Sequence, residues 1–205
     1  MEAAKNVEIV SNTQTNIDGC LTVSALFRQR TESNAGKVAI REKDFGLWNE
    51  YTWQQYGENA RLVGQGLKAL GLDRGDVCSI ASEVNKEWMF SDLGIICMGG
   101  VSNGVYPTDS ASQVEYLITD SSTRFYFAED EEQLDKVLEV RDRTPTLEKI
   151  IIFDMEGLRH LDDPMCISFD ELLELGSGYE NENPQVWDEE IDTAEANDLM
   201  ILTYT

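Results

Sequence analysis

Histidine is almost missing from this sequence: His160 stands alone. That scarcity excludes a histidine metal cluster, and it leaves Ser79, Ser82 and Ser91 without a histidine within sequence reach to make a hydrolase triad. Positive charge is equally scarce. Lys and Arg total 16 against 39 acids, the net charge is −23, and no Lys or Arg occurs from Asp162 onward. Such a field repels phosphate backbones, so nucleic acid is not an expected partner. The acids after Asp162 read as a solvated face and a loop rather than a docking tail. Cysteine is limited to Cys20, Cys78, Cys97 and Cys166, with no Cys-x-x-Cys pair. This spacing fits buried thiols in a reducing compartment. Long apolar runs are missing too: the longest, Leu93 to Val101, is about half of what a membrane helix needs. The first ten residues lack the apolar core of a secretory signal. A cytoplasmic chain is expected, and peripheral contact is the one membrane association left open.

What is present has a clear order. Residues 1–20 are polar and expected to be mobile, and a helix is predicted over Val23 to Arg30 behind Thr22 as N-cap. Lys37 to Glu42 and Leu47 to Thr52 flank a turn around Asp44 to Gly46, which predicts an antiparallel pair. Thr52 and Gln55 have capping-box spacing, Tyr56, Ala60, Val63, Leu67 and Leu70 recur down the helix that follows, and Gly71 stops it. Thereafter strands and helices alternate. Strands are predicted over 76–82, 101–107, 124–129 and 149–154, with helices over 85–100, 110–121 and 131–142. A further short strand and a helix over 170–175, capped by Ser168 and Glu171, lead into a polar connection at 176–190. Apolar strands alternating with amphipathic helices demand an α/β fold: a doubly wound, mostly parallel sheet with helices on both faces. The closing run, ILTYT (Ile201 to Thr205), reads as a strand made to lie inside a sheet with neighbours on both edges, but its cover would come from a continuation, so in this chain it is expected to be bare and the chain alone partly molten or self-associating.

Candidate sites are few. Gly64, Gly66 and Gly71 have a faint likeness to a dinucleotide fingerprint, but they lie within and at the end of a helix, whereas that loop must open one. His160 with Asp162 and Asp163 sits in a loop before Pro164, which favours a solvated loop over a metal site. The acids from Glu129 to Asp135 open a helix, where the positive end of the dipole suits them. No catalytic constellation and no metal ligand set is visible.

Several stretches in a fixed order resemble the adenylate-forming enzymes, in particular the long-chain fatty acid–CoA ligases. The resemblance runs from about Leu21 to Thr205. It is carried by YTWQQYGENARLVGQGLKALGLDRGDVCSI, by EWMFSDLGIICMGGVSNGVYPTDSASQVEYLITDS with its Tyr106-Pro107-Thr108 turn, by YFAEDEEQLDKVLEV and by KIIIFDMEGL. In that family a Ser-Gly-Thr-Thr-Gly-x-Pro-Lys-Gly loop, which binds the phosphates of ATP, follows the strand similar to LTYT. The resemblance therefore implies that Thr205 is the loop's first residue and the one cofactor-binding position in this sequence. It implies an ATP-dependent activity: carboxylate plus ATP to acyl-adenylate, then acyl-CoA, with fatty acid, ATP, Mg2+ and CoA as partners of the complete enzyme. Residues 21–205 are then an incomplete N-terminal portion of the AMP-binding domain, and the chain by itself is expected to be inactive. The alternative is a non-catalytic binding or regulatory module on the same scaffold.

Overall fold

The computed structural model describes residues 16–204. Helix α1 (Val23–Ser33) opens where the Thr22 hydroxyl accepts from the Ala25 N–H. Strands β1 (Val38–Asp44) and β2 (Leu47–Thr52) form a separate antiparallel ribbon. Then come α2 (Trp53–Ala69), β3 (Val77–Ala81), α3 (Lys86–Cys97), β4 (Val101–Val105), α4 (Ala111–Ser121), β5 (Phe125–Ala128), α5 (Glu131–Val140) and β6 (Lys149–Ile152). The described chain closes with β7 (Cys166–Ser168), α6 (Phe169–Glu182), α7 (Val186–Asp192) and β8 (Ile201–Leu202). Capping boxes at Thr52/Gln55, Ser110/Gln113 and Ser168/Glu171 satisfy the orphan N–H groups at the starts of α2, α4 and α6. Of the segment expected to be mobile, residues 1–15 lie outside the described residues; Ile17 and Cys20 form a β-bridge, and Asp18 pairs with Arg30.

The main sheet is wholly parallel, in the order β7-β6-β5-β3-β4-β8. Strand alternation sends Cys78, Ile80, Phe125, Phe127 and Ile151 to one face, under α1, α2, α3, α6 and α7. Ala81, Tyr126, Ala128, Ile150 and Ile152 point to the other, under α4 and α5. The expected doubly wound sheet with helices on both faces is what the chain builds. Its winding reverses beside β3, because the chain steps from β3 to β4 and then crosses back to β5 on the opposite side. Ligands of open parallel sheets bind outside the carboxyl ends at such a reversal.

One expectation needs correction. The helix predicted over 170–175 runs on to Glu182, and the polar connection at 176–190 contains α7. Gly176 has no side chain to hold α6 away from α2, so packing overrides the poor helix propensity of glycine there. The closing strand is bare, as expected of this chain without a continuation. Only Ile201 and Leu202 pair, with β4 alone, so β8 is an edge strand among the described residues, and Leu199 and Ile201 are 59% and 44% exposed. A strand is buried only when a second neighbour and a covering helix meet it, and nothing described supplies either.

Candidate functional site

Two of the clefts at the carboxyl end of the sheet flank the ends of its central strands. The larger, about 610 Å3, lies between the β1–β2 ribbon and the ends of β5 and β6, and its walls include Glu42, Glu87, Glu129, Asp130 and Asp154 against Lys43 and Lys86. Lys86 Nζ lies 3.2 Å from Glu42 Oε2 and 2.8 Å from Glu87 Oε1. Burial works to lower its pKa, but these two carboxylates outweigh burial and raise it. Lys136 is also engaged, donating to the Pro107 carbonyl at 2.6 Å and pairing with Glu132. This acidic rim, in which Lys86 is already paired with two carboxylates, does not fit a triphosphate.

The second cleft, about 380 Å3, runs between α3, β4 and β8. Trp88, Val105, Tyr106, Pro107 and Tyr204 form much of its wall. Gly104 opens it, since a Cβ there would meet nothing within 4 Å. Ser82, Asp92 and Ser102 are its deeply buried polar groups, 6%, 8% and 1% exposed. Burial holds the Asp92 carboxyl above its ordinary range, and a hydrogen bond from Ser102 partly offsets this. Asp92 Oδ1 has no hydrogen-bond partner among the described residues, so the carboxyl keeps one free oxygen for a donor. At the mouth, the Tyr204 hydroxyl donates to Asp120 Oδ2 at 2.9 Å, and its ring stands edge-on to Tyr116. Burial first, then the Asp120 hydrogen bond and charge, push the Tyr204 pKa up to about 12.

The residues singled out from sequence fall as follows. Thr205, which the resemblance implies as the cofactor-binding position, lies outside the described residues, and Tyr204 before it lines the second cleft. Gly64 and Gly66 are interior to α2, where a Cβ would strike Met98 and Leu172, so they serve helix contacts. His160 is exposed, Asp163 pairs with Arg141, and no cluster able to hold a metal ion exists among the described residues. Asp130 caps α5 with Glu131 and Glu132 in its first turn, as the dipole argument expects. Ser79 belongs to a buried chain: Asn103 Nδ2 donates to Ser79 Oγ at 2.9 Å, and hydroxyl contacts continue through Thr123 and Ser121 to the Leu117 carbonyl.

Sequence reasoning missed Asp92, because a lone acid in an apolar helix carries no motif. The expectation that the sequence holds no Gly-x-Ser-x-Gly elbow is also wrong as to spacing, since Gly100-Val101-Ser102-Asn103-Gly104 has it. The structure lays that run along β4 instead of a sharp strand-to-helix turn, and Ser102 bonds an acid, not a histidine.

A parallel sheet with ligand clefts at its carboxyl end and apolar walls beside a buried carboxyl defines a class, the α/β ligand-binding enzymes, without naming a reaction. The family description "AMP-binding enzyme" matches residues 27–205, and the chain belongs to that family. Among curated proteins it is 29% identical over 185 residues to the long-chain-fatty-acid–CoA ligase ACSBG2 of Xenopus laevis, covering 90% of this chain and 24% of the relative. It is 27% identical over 185 residues to ACSBG1 of Homo sapiens, covering 90% of this chain and 25% of that protein. The chain thus spans about a quarter of the length of these relatives. Among solved structures, the anthranilate CoA ligase AuaEII in complex with anthranoyl-AMP superposes with a TM-score of 0.68 at 24% identity. That superposition covers 89% of this chain and 31% of the other, and at this identity it shows the shared fold.

Proposed function

We propose that residues 21–205 are the N-terminal portion of the AMP-binding domain of an ATP-dependent fatty acid–CoA ligase. The observation that carries the reading is the position of β8. It runs parallel to β4 beside the 380 Å3 cleft, so the chain leaves it through Thr203 and Tyr204 at the sheet's carboxyl end, where parallel sheets take their ligands. The curated names of the relatives support the finer assignment to fatty acids and CoA.

In this reading ATP supplies the leaving group that a free carboxylate lacks. The triphosphate contacts beyond Thr205 belong to residues outside these 205, in keeping with the acidic rim of the larger cleft. The chain's own part is positional: β4 and β8 hold the apolar cleft walls, and α3 presents Trp88 and Asp92 to them. The alternative, a non-catalytic module, draws support from one observation. From β6 to β4 both faces of the sheet are covered and two cores are closed, as a self-sufficient binding unit requires. A cytoplasmic protein with peripheral lipid contact fits either reading, and no helix among the described residues is long and apolar enough to cross a membrane.

The test replaces the matching quarter of the Xenopus laevis relative with residues 27–205. Acyl-CoA formation from a long-chain acid by the chimera supports the ligase reading, and a folded chimera without ATP–pyrophosphate exchange overturns it. The chain of 205 residues alone is expected to show no such exchange.

A further inference from the structure

The β1–β2 ribbon stands apart from the six-stranded sheet and exposes its tip. Phe45 is 100% exposed, Leu47 73% and Trp48 63%. Phe45 and Gly46 form a two-residue turn between the paired Asp44 and Leu47, with φ of +43° and +84°. Two positive φ values define the turn that favours Asn-Gly. A bulky aromatic at the first position is strained, and among the described residues its full exposure leaves it no compensating contact. The described fold therefore gains nothing from Phe45, which points to a use in contact with a partner.

The tip's shape narrows the partner. Leu47 and Trp48 are neighbours on one strand and project to opposite faces of the ribbon, while Phe45 caps its end. A groove on another protein would meet one face; an apolar medium meets all of them. Behind the tip, Lys43 Nζ lies 6.0 Å from the centroid of the Trp48 ring, an aromatic and cationic pair of the kind that settles at headgroup depth. Ile40, Tyr51 and Trp53 pack on the core at the ribbon's root, and Lys86 ties Glu42 to α3, so the tip is held on a fixed stalk.

Charge selects the surface. The ribbon sets Arg41 and Lys43 against Glu42, Asp44 and Glu50, a net of −1, whereas the whole chain carries −23. An anionic bilayer would repel the body while offering the tip no compensating attraction. We propose that Phe45, Leu47 and Trp48 form a wedge that inserts into an electrically neutral lipid surface. Insertion requires no turnover, so it stands or falls separately from the ligase reading.

The experiment floats the full chain with phosphatidylcholine vesicles and with phosphatidylglycerol vesicles, without ATP or CoA. Binding to the neutral vesicles is expected to exceed binding to the anionic ones. Phe45→Asn relieves the turn, so its melting temperature should equal or exceed that of the parent while vesicle partitioning falls by about tenfold or more. Brominated phosphatidylcholine should quench tryptophan emission in the parent, with most of that quenching lost in Trp48→Phe. The proposal is overturned by absence of flotation with neutral vesicles, by stronger binding to anionic ones, or by a Phe45→Asn chain that floats like the parent. Self-association abolished by Phe45→Asn, with no vesicle binding, would assign the tip to a second copy and likewise overturn it.

Discussion

Gly176 of α6 lies on the main-chain carbonyl of Leu62 in α2, so close that a Cβ at residue 176 would overlap that oxygen. Gly176→Ala must push the two helices apart and is expected to cost about 1–3 kcal/mol. Gly178 is two residues on in the same helix, with open space around its missing Cβ, and Gly178→Ala should stabilise by about 0.5–1 kcal/mol. Opposite shifts in thermal melting of the two variants are the expected result; equal shifts would show that α6 does not seat on α2 at this point.

Asp92 predicts a pH dependence. Burial raises its folded-state pKa above the ordinary 3.8, so the folded chain holds this proton more tightly than the unfolded one. The resulting stabilisation is complete below the unfolded value and is lost as pH rises through the raised folded value. Asp92→Asn carries no such titration. In urea unfolding from about pH 4 to about pH 8, the variant should therefore gain on the parent as pH increases. A constant difference across that range would show that Asp92 ionises in its ordinary range.

Glu190 on α7 meets two cations at once, Lys68 Nζ at 2.5 Å and Arg74 at 2.7 Å, with side-chain exposures of 21%, 12% and 35%. Glu190→Gln removes the charge both cations face. The expected loss is about 1–3 kcal/mol, against ~0–1 kcal/mol for Glu50→Gln, whose partner Arg41 is 63% exposed. Denaturant midpoints of the two variants give the comparison.

The cysteines should react in order of access. Cys78 and Cys97 are fully enclosed, and burial drives both thiols far above their ordinary value. Cys166 is half-buried and pushed up to about 11, by burial first and then by Asp163. A disulfide reagent near neutral pH should label Cys20 first and Cys166 slowly, and should reach Cys78 and Cys97 only on unfolding. Early labelling of Cys78 in the native chain would mean that β3 is accessible.

Most elements were legible in the sequence because their signals are local. Thr52 with Gln55 and Ser110 with Gln113 announce helix starts through groups three residues apart, and the runs at Val77–Ala81 and Phe125–Ala128 are too apolar to lie anywhere but inside. The order of strands and helices was enough to require a parallel sheet with two covered faces. What tertiary structure decided is whatever depends on residues far apart in the chain. Helix α6 continues through Gly176 because Leu62 waits on another helix, and α7 is held where Arg28, Lys68 and Arg74 meet its acids. The cleft exists because Gly104 and Ser102 on β4 leave room beneath Trp88 of α3, and Asp92 becomes a buried acid only when Ser102 comes beneath it. Local spacing encodes caps and periodicity, since both are settled within a turn or two of backbone. The site and the exposure of β8 follow from contacts that only the assembled sheet brings together.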